Sequence, residues 1–305
     1  MEKKPVNTGT LKQLITDEIF KALHFPEVGL VRKTFAPFFS KAAERFAELG
    51  AGFDLQVARH GFTAAARWVL PRFVSALEVH GDQNIPDSGP LLIASNHPGT
   101  YDSLVISANV TRPDFKIVAG AIPFLQHLPN ISQHMIYTPS FDPHGRMNVV
   151  REAIRHLKEG GCLLIFARGT LEPDPAVMPN AKDELKHWSR SLEIFLKHVP
   201  QSRILVSIVS GVLAARSVHH PITWLCKERV DRQRLAMFIQ VIQQMLFGNK
   251  FSLTPRLTFD DITGNIGVRD KGDIFPKIVE AAQRLLALHL KDQTINHPQP
   301  LSTPF

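Results

Sequence analysis

The sequence predicts an α/β fold, a mixed sheet covered by helices and preceded by an N-terminal helical segment. Short apolar runs of β type (LEVHG, PLLIAS, FKIVAG, HMIYTP, CLLIFA, RILVSIVSG) recur from Ala76 onward. Helical stretches such as Asn148 to Lys158 alternate with them, and the runs are continuously apolar, as strands covered on both faces require. Before Ala76 the apolar residues recur at helical spacing instead. The chain therefore divides into a helical segment over 1–75, a catalytic-type α/β domain over 76–290 and a flexible tail over 291–305.

In the first segment Leu11, Leu14, Ile15, Ile19, Phe20 and Leu23 share one helical face, and Pro26 ends that helix. Leu30 to Leu49 carries Phe35, Phe38, Phe39, Ala42, Phe46 and Leu49, with Arg32, Lys33, Lys41 and Arg45 between them and a kink expected at Pro37. Such a basic amphipathic stretch either lies on a membrane surface or packs its aromatic stripe on neighbours. In the helix before CLLIFA, Val149, Val150, Ala153, Ile154 and Leu157 form a stripe, and Gly160-Gly161 supplies the turn into the strand. Arg229 to Phe247 reads as a long helix whose Leu235, Phe238, Val241, Ile242, Met245 and Leu246 either line an apolar ligand pocket or belong to the core. A strand over RLTFDDIT, a last helix to about Leu290 and the Pro-rich tail INHPQPLSTPF complete the chain.

Composition narrows the partners only slightly. Lys and Arg exceed Asp and Glu by 35 to 28, a mild basic excess that favours anionic partners without separating nucleic acid from a phospholipid surface or a phosphorylated co-substrate. Cys162 and Cys226 are too few for a disulfide framework and form no CxxC pair, so a reducing, cytoplasmic setting is expected. The opening residues MEKKPVNTGTLKQ lack the apolar core of a secretory signal, and no run reaches the ~20 apolar residues of a spanning helix, so membrane contact is expected to be peripheral.

The motifs GxSxG and HExxH, a Walker loop and a complete GxGxxG after a strand are all missing, which disfavours the common hydrolases, zinc proteases, nucleotide hydrolases and dehydrogenases. What stands out is PLLIASNHPGTYDSLVIS, in which an apolar strand ends in Asn96-His97-Pro98-Gly99 and a polar turn leads through Asp102 into an apolar helix. Sites in open α/β sheets form at such strand ends. Pro98 and Gly99 let the chain fold back, so the Asp102 carboxylate reaches the His97 Nδ1–H while Nε2 faces the cleft. A carboxylate in that position fixes the tautomer and favours the imidazolium, as a general base working near neutral pH requires.

NHPGTYDS resembles the HxxxxD block of the lysophosphatidic acid (glycerolipid) acyltransferase family. VSALEVHGDQNIPDSGPLLIASNH is similar to the family's first strand, glycine-containing turn and strand before the His, and FKIVAGAIPFLQHLP resembles its next strand and helix. GRMNVVREAIRHLKEGGCLLIFARGTLEPDP resembles the helix, Gly-rich turn and strand leading to its phosphate-binding block. The resemblance covers Ala76 to Ala215. It implies that His97 takes the proton of an acceptor hydroxyl, that Asp102 orients His97, and that the hydroxyl attacks an acyl thioester with no covalent acyl-enzyme. Substrate binding then falls to Asn96, Gly99, Thr100, Arg146, Arg168, Gly169 and Thr170, with backbone N–H groups near Gly99 or Gly169 as candidate oxyanion donors.

Three blocks depart from the family pattern. Thr138 and Pro139 stand where the second block has an arginine, Arg146 coming several residues late. The third block, typically Phe-Pro-Glu-Gly-Thr-Arg, reads Phe166-Ala167-Arg168-Gly169-Thr170-Leu171, and the fourth ends in Ser210-Gly211 in place of a proline. Arg168 either takes over as the phosphate ligand or pairs with Glu172 or Asp174. The resulting expectation is transfer of a fatty acyl group from acyl-CoA or acyl carrier protein to a lipid hydroxyl, of lysophospholipid or glycerol-phosphate type, at the cytosolic face of a membrane. The alternatives are a non-catalytic lipid-binding member or a thioesterase. Neither a bound cofactor, a metal nor a nucleic-acid partner is expected, since His219-His220 and the other histidines lack ligand spacing.

Overall fold

A computed structural model describes residues 6–22, 29–99, 101–139, 143–248, 251–266, 273–291 and 299–300, without the side chains of 22, 29–35, 143–146, 299 and 300. Helices α1 (Thr8–Ala22), α2 (Gly29–His60) and α3 (Phe62–Val69) form the N-terminal segment. The sheet is built from β1 (Ala76–His80), β2 (Leu91–Ser95), β3 (Phe115–Gly120), β4 (Met135–Thr138), β5 (Cys162–Phe166), β6 (Arg203–Ser210), β7 (Arg256–Asp261) and β8 (Gln299–Pro300). Their order across it is β4-β3-β5-β2-β6-β7-β1-β8. The five strands from β4 to β6 run parallel, β7 runs antiparallel to β6, and β1 is parallel to β7. The sheet is thus mixed, as expected.

Both faces of the sheet are covered. Along β2 the side chains alternate, Leu91 and Ile93 joining one core cluster and Leu92 and Ala94 the other, all of them fully buried. The first cluster is closed by α1, α2, α3, α4 (Asp102–Ser107) and the helix Arg229–Phe247. Helices Pro143–Lys158, Ser191–His198 and Ile274–Lys291 close the second. Such two-sided burial explains why the strands read as unbroken apolar runs.

The described part of α2 settles its two readings. Ala42, Ala43 and Ala47 are buried and Phe39, Phe46 and Leu49 pack on the first cluster, so this face is core; Phe38 is exposed. Phe35, Arg32 and Lys33 lie outside the described side chains. The helix also runs further than the Leu30–Leu49 reading, through Pro37, Gly50 and Gly52 to His60. Its glycines mark close approach rather than an end, since a Cβ on Gly50 would come within 2.6 Å of the Phe124 ring and one on Gly52 within 3.2 Å of Trp68. The tail differs as well: Gln299 and Pro300 pair antiparallel with Leu77 and Ala76, and the remainder of 292–305 is not described.

Strands β2 and β5 end together, Ser95 lying in register with Phe166, while β6, paired with Ser95 at Ser207, runs on to Ser210. The loops after them are tied down by one fully buried carboxylate. Asp174 accepts N–H bonds from Gly211 (2.8 Å), Val212 (2.9 Å), Leu213 (3.0 Å) and Ala176 (3.0 Å). Charge-assisted bonds of this kind are individually strong, and losing the acceptor strands several donors at once. Asp174→Ala is therefore expected to lower stability by about 3 kcal/mol or more in urea denaturation, and a loss under about 1 kcal/mol would contradict this role.

Candidate active site

His97 leaves the end of β2 and points its Nδ1 at Asp102 Oδ2, 2.7 Å away. Asp102 is fully buried at the first turn of α4, where it also accepts from the backbone N–H of Gly99 (2.9 Å) and of Ser103 (2.6 Å). Oδ2 thus receives the imidazole and the Gly99 amide together, so the five-residue spacing is closed by one carboxylate that holds both ends of the turn. The His97 ring stacks on Phe166 at 4.2 Å, with 29% of the side chain still exposed. Nδ1 is committed to Asp102, which leaves Nε2 as the nitrogen available for proton transfer.

A second carboxylate stands on the other side of His97. Glu172 Oε2 accepts the His97 backbone N–H at 3.0 Å, its Oε1 accepts from Trp188 Nε1 at 2.9 Å, and its own N–H returns a bond to His97 O at 2.8 Å. Burial pushes the Glu172 carboxyl up to about 7, against the pull of Trp188, His97 and Arg168. Burial alone would depress His97, but Asp102 and then Glu172 outweigh it and hold the imidazole above its usual 6.5. Gln233, on the helix Arg229–Phe247, donates to both Pro98 O (2.7 Å) and Glu172 O (2.6 Å), clamping the two loops together.

Several expected substrate contacts turn out to be engaged within the fold. The Asn96 amide exchanges two bonds with the Val209 backbone (2.9 and 2.8 Å), so it fastens β2 to β6 and holds nothing out to a substrate. The Gly99 N–H is spent on Asp102 and the Gly169 N–H on Phe166 O (2.9 Å), which removes both as oxyanion donors. Gly99 instead permits close packing, since a Cβ there would touch Val212 at 3.2 Å, and Gly169 supplies a left-handed turn at φ 75°. Thr170 sits half-exposed on the same loop, whereas Thr100 and the side chain of Arg146 lie outside the described residues.

Arg168 pairs with Glu184, replacing the expected partners Glu172 and Asp174. Arg229 approaches the same Glu184 at 3.6 Å and donates to Leu171 O (3.0 Å) and Gln233 Oε1 (2.7 Å). Burial first, and the neighbouring Arg168 charge second, lower the Arg229 guanidinium. Two guanidiniums from distant segments thus meet beside the loop that carries Glu172. Arg229 and Gln233 were missed because neither belongs to a local motif, and Glu172 was read only as a partner for Arg168. The only signal lay in the i, i+7, i+11 spacing of Gln233, Gln240 and Gln244, all buried on a helix read for its apolar face. Gln240 bonds Ala214 N (2.8 Å) and Val212 O (2.9 Å), and Gln244 bonds Phe73 O (2.7 Å). Leu235 and Met245 of that helix are buried, and Phe238, Val241, Ile242 and Leu246 pack on the first cluster, which favours the core reading over an acyl pocket. Among the described residues no group of three His, Cys, Asp or Glu could hold a metal ion.

Residues 76–193 match the family model for acyltransferases, a span that contains His97, Asp102, Arg168 and Glu172. Over this segment the chain is similar to the acyltransferase family. Among solved structures, the chain is similar to that of the 1-acyl-sn-glycerophosphate (LPA) acyltransferase PlsC from Thermotoga maritima, with 16% identity and a TM-score of 0.45 over 92% of this chain and 98% of that chain. None of the curated proteins matches significantly.

Glu172→Gln replaces two acceptor oxygens by one, so either His97 N or Trp188 Nε1 loses its partner. Stability is expected to fall by about 1–3 kcal/mol. Removing the negative charge should also shift the acid limb of the pH–rate profile downward, because Glu172 helps raise His97. An unmoved limb in a folded variant would show that Glu172 does not act on the imidazole.

Proposed function

We propose that the protein is an acyltransferase that moves a fatty acyl group from an acyl thioester, acyl-CoA or acyl carrier protein, to a hydroxyl of a lysophospholipid or glycerol-phosphate type of acceptor. The observation that carries this reading is the 2.7 Å contact between His97 Nδ1 and the buried Asp102, within a segment similar to the acyltransferase family. His97 Nε2 takes the acceptor's hydroxyl proton as the oxygen attacks the thioester carbonyl. The tetrahedral intermediate then expels the thiolate, which leaves as the thiol with the proton returned from the imidazolium. No acyl-enzyme is formed. Asp102 stabilises the imidazolium and holds the ring in the tautomer that leaves Nε2 unprotonated at the start.

Arg168 and Arg229 supply the charge for a phosphate on the acceptor, Glu184 acting as their counterion in the resting fold. This arrangement takes the place of the arginines missing from the second and third blocks. A phosphate able to accept from both guanidiniums would compete with Glu184 for them.

The test is release of coenzyme A from a long-chain acyl-CoA, followed across lysophospholipids, glycerol-3-phosphate and neutral lipid alcohols. Release should depend on a phosphate-bearing acceptor, fall by ~100-fold or more in His97→Ala and nearly as far in Asp102→Asn. Arg168→Ala should raise KM for such an acceptor by about 10-fold with a smaller change in kcat. Release that needs no acceptor would identify a thioesterase, and full activity without His97 would refute the reading. As the base must be neutral, the rate should drop as pH falls through a limb lying above 6.5, the direction in which His97 is displaced.

A further inference from the structure

Among the described residues no helix is long and apolar enough to cross a membrane, and the described face of α2 is packed in the core. A different element carries exposed apolar side chains. In the short turn Pro221–Leu225, Ile222 is 44% exposed, Trp224 71% and Leu225 82%. The turn is built rather than loose. Between these three, Thr223 is buried and its hydroxyl donates to Val218 O (3.2 Å) and His220 O (2.7 Å), while the Ile222 N–H donates to His220 Nδ1 (3.3 Å). The fold therefore holds a tryptophan and two aliphatic side chains out in water, a costly placement for a surface with nothing to cover it.

Charge says what covers it. Arg216, Lys227 and Arg232 flank the turn and are exposed, against the single exposed acid Glu228. Aromatic and aliphatic side chains with exposed cations before and after them in the chain match the interface of an anionic bilayer, where indole sits at headgroup level and the cations meet lipid phosphates. Position agrees with this occupant. Leu225 is four residues from Arg229, at most about 14 Å of chain, and the Arg229 guanidinium reaches Leu171 O beside the loop that holds His97.

We propose that Pro221–Leu225 with Arg216, Lys227 and Arg232 is the surface by which the protein docks on anionic phospholipid bilayers. Docking there brings the mouth of the site to the headgroup layer. The surface rests on the proposed lipid acceptor only for its purpose, and its test contains no substrate, so failure of either is distinguishable from failure of the other.

The experiment is co-sedimentation of the full chain with vesicles of phosphatidylcholine, alone or with phosphatidylglycerol, at low and high salt. Partition is expected on the anionic vesicles, to weaken with salt, and to fall by about 10-fold or more in Trp224→Ser/Leu225→Ser. Trp224→Phe should still bind yet lose the vesicle-induced blue shift of tryptophan emission, Trp68 and Trp188 staying away from lipid. Arg216→Gln/Lys227→Gln should abolish the preference for anionic vesicles. The proposal is overturned if the wild-type chain does not bind, or if the Trp224 and Leu225 variant binds as well as wild type. It is equally overturned if that variant only converts a dimer to a monomer, since a second copy would then be the occupant.

Discussion

A buried carboxylate must have its charge met where it lies, and at Asp102 that requirement shapes the whole site. Removed from water, it has the imidazole of His97, the Gly99 amide and the Ser103 amide as partners. An uncompensated charge at such a depth costs several kcal/mol, so the turn from His97 to Asp102 can close only in the form that satisfies it. The same closure sets the chemistry. It commits Nδ1 to the carboxylate and leaves Nε2 available, and it raises the proton affinity of the ring against the opposing effect of burial. Fold stability and base strength thus rest on one group, which couples them.

The loops around this turn are held by the same means, buried polar groups that saturate backbone. Asp174 gathers three successive amides after β6, Glu172 locks the post-β5 loop to His97, and Gln233, Gln240 and Gln244 tie one helix to four separate loops. Loops at strand ends lack a ladder of their own, so side chains supply the missing partners. The resulting rigidity holds the partly exposed His97 ring in one orientation.

Much of this was legible in the sequence because local chemistry determines it. Two-sided burial writes itself as unbroken apolar runs, and the Pro98-Gly99 turn between a strand and Asp102 announces a His–Asp pair. The long-range partners were not legible. Arg229 lies 61 positions beyond Arg168, and Glu172 stands 75 beyond His97, with nothing local to pair the two. Asn96, Gly99 and Gly169 looked like substrate contacts because they neighbour the reactive residues, yet each is spent on backbone closure. Proximity in sequence says which residues are near a site, and only hydrogen-bond accounting says which have a group left to offer. The glycines of α2 show the same limit, since they mark where Phe124 and Trp68 press in, a contact set by tertiary packing.

The most direct test of this account is a titration of the His97 imidazole followed by its nitrogen chemical shifts, in the wild-type chain and in Asp102→Asn. The account predicts a neutral ring protonated on Nδ1, a midpoint above 6.5, and a lower midpoint or a switched tautomer once Asp102 is neutralised. A ring protonated on Nε2, or a midpoint unmoved by Asp102→Asn, would contradict it.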